Sequence, residues 1–353
     1  MQNHNLCYTV IMMDWLEHSY KQTIQWLLEP DPGQPGVRYF ALRDLMDVPE
    51  DDPKLQKART AIMESGAVAS ILAAQEPEGY WVKRGAGYSP KYTGTVWQLI
   101  FLSQFGADGA DKRIQMACDY LLSHAMTRQG VFSMSGFPSG FIHCLSGNLI
   151  AALIDLGRIH DERVRETIEK EAQFVTGEGI SGATDSKMTP RYYSSGTSGP
   201  LFMCANNQHL PCAWGAVKTL LAFGKVLDAM QSGMVKRAID QSISFLLEHD
   251  PALADYPSVY GPTPSANWFK FGYPLGYMSD VLQTVEALAA AGCINDQRLA
   301  GAVAMIESKQ NKQKRWNQEY GYRSKMWFAP EKPGQPSKGV TLRALRILKA
   351  VHA

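Results

Sequence analysis

Two cysteines, Cys204 and Cys212, bracket a short run that contains Asn206, Asn207 and His209, and a His143-Cys144 pair stands one unit upstream. These residue types support three kinds of chemistry. Four buried groups would be inert, since a free thiol packs as a small hydrophobe. Cys144, Cys204, His209 and Cys212 together would offer sulfur and imidazole ligands to zinc, although their spacing matches no common finger. Without metal or any other cofactor, a thiol or imidazole beside a reacting carbon would exchange protons with it. An acid belongs with them. Asp280 occupies the same phase of its predicted helix as Cys212 does of its own, so it is either a helix cap or an acid facing the same space. In the second case desolvation would raise its pKa and let it protonate an alkene or hydroxyl.

Aromatic and amide groups crowd the same stretches. Tyr92, Trp97, Trp214, Trp268 and Tyr277 lie at or just before predicted helix starts, alongside Asn148. Core packing is the ordinary role of such rings; clustered on one cavity they would also steady a carbocation. The longest irregular stretch, residues 177–209, carries Tyr192 and reads as a functional loop or lid. Lys91, Lys270 and Lys338 sit at helix starts, where a cation is disfavoured, and Lys338 calls most clearly for an anionic partner.

The elements that must position these groups are helices throughout, of two alternating kinds. Residues 111–124, 234–249 and 296–309 are amphipathic, with apolar side chains at spacings of three, four and seven. Residues 96–105, 149–156, 216–223, 281–291 and 340–351 are apolar nearly all round and predict burial on more than one side. Gly106, Gly157 and Gly224 follow three of them as helix stops. Alternation of inner and outer helices predicts a closed ring or an open solenoid. Closure is favoured because the unit Pro32-Gly33-Gln34-Pro35-Gly36 recurs as Pro333-Gly334-Gln335-Pro336 near the other end, before a last inner helix that lacks an outer partner. The unpaired helix at residues 14–29 would supply it. The expectation is therefore an all-α (α/α)6 toroid spanning residues 1–353 as one domain, with the N-terminal helix closing the ring. Its pairs would be 37–75, 92–125, 142–176, 211–248, 273–310, and 337–353 with 14–29.

Bulk properties exclude several partners. The 353 residues carry 35 basic and 34 acidic side chains, so no broad field attracts nucleic acid or an anionic membrane. No apolar run is long enough for a membrane span, and the first residues lack a signal-peptide pattern. Six cysteines without a CxxC pair fit a reduced, cytoplasmic protein. A small apolar ligand is the expected partner, and self-association into a homo-oligomer stays open.

A second repeat ties the pattern to a family. Gln75-x3-Gly79-x-Trp81 and Gln310-x3-Lys314-x-Trp316 follow outer helices, with Gly130-x-Phe132 as a degenerate copy. They resemble the QW-type (squalene oxidase) repeat of the terpenoid cyclase and protein prenyltransferase superfamily, which implies an α/α toroid over most of the chain. The standard activities of that superfamily are not implied. The sequence has no DxDD acid motif; its Glu50-Asp51-Asp52 fits a helix start rather than a DDxxD metal site; and no Asp-x-Cys zinc pair occurs. The segment from Cys204 through Asn206 and Asn207 to Cys212, with His143 and Asp280, is similar in kind to linalool dehydratase/isomerase. That likeness implies a stand-alone ring moving water on and off an isoprenoid alcohol.

The resulting expectation is a cofactor-independent lyase or isomerase for a small apolar, isoprenoid-like substrate. Asp280 and His143 would exchange protons, and Cys204 and Cys212 would assist at the reacting centre. Cys144 and the named aromatic, amide and Lys338 side chains would bind substrate. A carbohydrate-active α/α-barrel enzyme would instead need two facing carboxylates, for which Glu178, Asp185 and Glu319 are the distant partners of Asp280. A zinc-dependent enzyme or a non-catalytic binder of apolar ligands are the other readings.

Overall fold

The computed structural model describes residues 16, 18–180, 198–322 and 325–353; Tyr192 and Asp185 lie outside them. Helices dominate, and the β-pairing among the described residues consists of isolated bridges such as Gln310 with Trp316. Helix α1 covers residues 18–28. It is followed by α2 (Pro35–Phe40), which runs into a π-turn over Ala41–Leu45, then α3 (Pro53–Glu64) and α4 (Gly66–Ala73). Next come α5 (Thr95–Gln104), α6 (Lys112–His124), α7 (His143–Asp155), α8 (Glu162–Thr176), α9 (Ala213–Phe223) and α10 (Gly233–Glu248). The chain closes with α11 (Val281–Ala290), α12 (Ala300–Ser308) and α13 (Lys338–Val351).

Helices α5, α7, α9, α11 and α13 pack side by side as the inner ring and α13 returns to α2 and its π-turn, while Gly36 of α2 lies against the Phe105 backbone at the end of α5. The remaining helices form the outer ring. Their starts share a local device that the sequence repeats: Asp111, Asp161 and Asp296 each cap the backbone N–H two residues on, and the arginine at that position (Arg113, Arg163, Arg298) folds back on the carboxylate. Asp52 caps Lys54 N–H in the same way. A capping carboxylate satisfies one of the otherwise orphaned N–H groups and fixes where each outer helix begins.

The tryptophan repeat acts as a staple between rings. Trp81 donates its indole N–H to Ile71 O at 2.8 Å, and its backbone N–H reaches Thr95 Oγ1 on the next inner helix. Trp316 repeats this with Ile306 O at 2.6 Å and Thr341 Oγ1. Closure is equally direct. Thr23 Oγ1 on α1 meets the carbonyls of Gln313 and Lys314, Lys314 Nζ donates to Ser19 O at 2.8 Å, and Tyr20 stacks on Trp316. The first helix thus completes the pair opened by the last, and the fold is an all-α α/α toroid. At one seam backbones nearly touch: a methyl on Gly147 of α7 would lie 2.6 Å from the backbone between Lys218 and Thr219 of α9. Among the described residues no helix is long and apolar enough to cross a membrane.

Candidate active site

Side chains at spacings of three, four and seven share one face of a helix, and here that face is the wall of the ring's hole. On α7 it runs Cys144, Asn148, Ala151, Asp155; on α9 it runs Trp214, Lys218, Leu221; α11 contributes Gln283 and Glu286, and α13 contributes Arg343. Residues 271–279 cross this hole as a plug. Leu275 exchanges both backbone hydrogen bonds with the Gln104 side chain at 2.8 Å, Gly276 O accepts from Asn148 Nδ2 at 3.0 Å, and Tyr273 OH donates to Gln104 O. The plug divides the hole into two ends.

The end at the starts of the inner helices is walled by aromatic rings in unbroken contact. Tyr88 and Tyr92 meet Trp97 with centroids 5.2 and 5.1 Å apart, Trp97 meets Tyr277, Tyr277 meets Trp214 at 5.9 Å, and Trp214 meets Trp268. Lys91 Nζ sits 3.7 Å from the Tyr277 ring centroid. Cys144 opens α7 and Cys212 precedes α9, both half-buried at this end, and Cys144 lies near Tyr88. Tyr92, Trp97, Tyr277, Trp214 and Trp268 are linked in one chain of ring contacts. Tyr92, Trp97 and Trp268 are buried, whereas Tyr88, Trp214 and Tyr277 keep part of their surface exposed.

The thiols are held by a small, contorted hairpin over residues 198–212. Leu201, Phe202, Gln208 and His209 all adopt positive φ, between 50° and 64°. Such non-glycine conformations each cost about 1–3 kcal/mol and persist where surrounding structure enforces them. The result places Cys204 so that the Cys212 thiol, then the backbone N–H groups of Asn206 and Asn207, donate to its sulfur. The His143 ring adds a favourable field, and together these hold the Cys204 thiol well below the ordinary thiol range despite burial. Cys212, as the donor to that sulfur and buried besides, is pushed far up. Cys144 is raised to about 12 by burial and then by Cys204. One sulfur is thus disposed to be a thiolate and two to be thiols.

His143 is placed differently from the expectation. Its Nδ1 lies 2.6 Å from Glu171 Oε1 and its Nε2 2.8 Å from Gly199 O. Gly199 O is an acceptor, so Nε2 carries a proton, and the short Nδ1–Oε1 contact shares another between the ring and Glu171. Burial disfavours a charged ring, but Glu171 outweighs it and the pKa rises. His143 has no free nitrogen to offer a substrate. It anchors the hairpin, with Ser198 Oγ accepting its backbone N–H, and lends positive charge to Cys204.

Asp280 is likewise committed. It caps α11 through Gln283 N–H at 2.7 Å, and Arg343 Nη1 and Nη2 reach its two oxygens at 3.1 Å. Arg343 spends its other donors on Glu286 and Gly272 O. The bland alternative, a capping aspartate, is the observed one. Lys338 pairs with Asp31 at 3.2 Å and lies over Trp26, at the ring's closure and away from the thiols. Asn207 braces the hairpin against Pro257 and Val259, and Asn206 contributes its backbone rather than its exposed side chain. Glu319 is held by Lys309 and Glu178 by Arg237, so neither faces Asp280 as a second catalytic carboxylate. Among the described residues no three His, Cys, Asp or Glu side chains converge as metal ligands, and Cys144, Cys204, His209 and Cys212 are not assembled as a set.

The opposite end, at the C-termini of the inner helices, opens into a cavity of about 550 Å³ lined by Arg43, Asp44, Glu286, Arg343 and Arg346 among others. Two side chains that sequence reasoning missed stand between or behind these ends. Glu171 interrupts the apolar stripe Val164-Ile168-Val175 of an outer helix, and Lys218 interrupts an inner helix that is otherwise apolar. Each was visible as a charge on a face that should carry none.

Neither a family model nor a curated protein matches the chain. Among solved structures, the type II terpene cyclase MstE from Scytonema in its apo form is similar with a TM-score of 0.42 and 12% identity, over 91% of this chain and 88% of that one. An arginine-to-alanine variant of that cyclase, in complex with the substrate geranylgeranyl dihydroxybenzoate, is similar with a TM-score of 0.45 and 13% identity, over 97% and 98%.

Proposed function

We propose that the chain is a cofactor-independent lyase or isomerase that moves a proton, and with it a hydroxyl group, on a small apolar, isoprenoid-like molecule. The observation that carries this reading is the contorted hairpin that brings the Cys212 thiol and the backbone N–H groups of Asn206 and Asn207 onto the Cys204 sulfur, at the end of the ring where Tyr277 meets Trp214. Neighbouring titratable groups whose environments separate them in this way mark an acid and its base. In a dehydration, the Cys212 S–H would protonate the departing hydroxyl, which leaves as water. The Cys204 thiolate would take a proton from the adjacent carbon, whose C–H electrons become the alkene bond. The proton then returns from Cys204 to Cys212 across their own hydrogen bond, restoring the pair. Positive charge developing on carbon between these steps would be steadied by the faces of Tyr277 and Trp214. His143, paired with Glu171, positions the hairpin and holds the thiolate charge; Asp280 fastens the plug to α13. The likeness in kind to linalool dehydratase/isomerase is consistent with this division of labour, with the acid–base work shifted from Asp280 and His143 to the thiols.

The test is conversion of a panel of monoterpenoid alcohols and alkenes, followed by gas chromatography. Cys204→Ala and Cys212→Ala should each lower kcat by about 10²–10⁴-fold, the usual worth of a positioned acid or base. Full turnover in the double variant, or no conversion across the panel by folded wild-type protein, removes the proposal.

A further inference from the structure

The 550 Å³ cavity at the C-terminal end of the inner helices takes no part in the thiol chemistry, and its size falls within the roughly 300–1,000 Å³ of small-molecule sites. Its wall narrows the choice of occupant. Five cations line it, and each already has a carboxylate: Arg43 and Arg346 share Asp44, Arg59 and Lys225 meet Asp108 and Asp155, and Arg343 holds Glu286 and Asp280. The charges therefore cancel. An added anion would also meet the last turns of α7, α9, α11 and α13, whose open carbonyls carry partial negative charge. An apolar ligand would strip water from the ion pairs and put nothing in its place.

Hydroxyl groups suit such a wall, because each one donates and accepts. Capacity of both kinds is left over. Arg346 gives Nη2 to Asp44, while its Nε has no hydrogen-bond partner. Gln283 lines the cavity, is only 6% exposed, and its Oε1 is buried without a partner. A buried amide left in this state calls for a ligand or an ordered water. Its terminal group can turn about the last side-chain bond to offer either oxygen or NH₂. One turn further along α11 comes Glu286, gripped by Arg343, so amide, carboxylate and guanidinium share one strip of wall. Ala289, another turn on, and Ala151 and Ala152 of α7 leave room and add short apolar contact.

We infer that this cavity binds a neutral polyhydroxylated molecule, a monosaccharide or cyclitol, without covalent chemistry. Gln283 and the Glu286–Arg343 pair take its hydroxyl groups, and the alanines meet its C–H faces. The site is separate from the thiol pair and stands or falls independently of the lyase reading.

Folded full-length protein is titrated calorimetrically at neutral pH with glucose, galactose, mannose and myo-inositol, and in parallel with phosphate, acetate and cyclohexanol. The expected result is saturable binding of at least one of the four polyols and of none of the other three. That binding should be the same at low and high salt, because no net charge is exchanged. Gln283→Ala should weaken it about three- to ten-fold, the worth of one hydrogen bond. Ala289→Trp, which fills the hollow from a partly exposed position, should abolish it, and native melting checks both variants. Absence of saturable binding by all four polyols overturns the proposal, as does binding that neither variant alters. Saturable binding of phosphate or acetate that Ala289→Trp removes would mark an anion site and overturn it too.

Discussion

The two ends of the ring's hole are built on opposite principles. At the C-terminal end every cation on the wall has its anion: Arg43 and Arg346 share Asp44, Arg59 meets Asp108, Lys225 meets Asp155, and Arg343 grips Asp280 and Glu286. At the other end the wall is aromatic, the supporting hairpin is strained and Trp214 Nε1 is buried without a partner; between the ends, Lys218 Nζ is too. At the C-terminal end the charges are paired, while Gln283 Oε1 and Arg346 Nε on the same wall lack a hydrogen-bond partner. A buried polar group left unpaired has interaction energy still to give. The 550 Å³ cavity lies at the end whose charges are paired.

The largest effect that would sharpen this contrast comes from Arg343. Its five donors are all engaged, so Arg343→Met strands two carboxylates in the ring wall and should cost about 3–5 kcal/mol in urea unfolding, as breaking a buried pair does. The matching change across the hole has the opposite sign. Lys218→Met removes a buried amine that nothing satisfies and should raise stability by about 1–3 kcal/mol at pH 6. The gain depends on pH in a defined direction. The folded-state pKa is lowered from 10.5 to about 7, so between those values the unfolded chain binds more protons and wild-type stability climbs with pH. The advantage of Lys218→Met should therefore be full below pH 7 and fade towards pH 10. Equal destabilisation by both substitutions, or a gain that grows with pH, would erase the distinction between the ends.

How much of this was legible beforehand follows from what each signal depends on. The ring was readable because burial on every side forces an apolar surface, and the tryptophan repeat fixes the joints; Trp81 and Trp316 make the same two bonds, each to a carbonyl ten residues back. The chain of aromatic contacts was readable from the common place of those residues at inner-helix starts. The roles of Asp280 and His143 were not, because a role depends on the partner. Arg343 lies 63 residues from Asp280 and Glu171 lies 28 from His143, and no local pattern announces either contact. Lys218 and Glu171 could have been found by asking of each predicted apolar face which residue violates it.

The smallest expected effect concerns the acidity of Cys204, and it tests whether the hairpin rather than burial sets the reactive end apart. Burial raises a thiol's pKa, so a thiolate here exists only through its donors. Alkylation of Cys204 by iodoacetamide should follow thiolate formation with a midpoint near pH 6, while buried Cys118, raised to about 12, stays inert in the folded protein. The Cys212 S–H is the leading donor and the His143 charge a lesser one. Cys212→Ala should therefore move the midpoint upward by about one pH unit, since one hydrogen bond of about 1–1.5 kcal/mol corresponds to roughly that shift. His143→Gln should move it less, provided the hairpin stays in place, which the unchanged melting of the variant would report. A wild-type midpoint at the ordinary thiol value, insensitive to Cys212, would mean that the strained turn buys no acidity, and the distinction between the two ends would then rest on the aromatic wall alone.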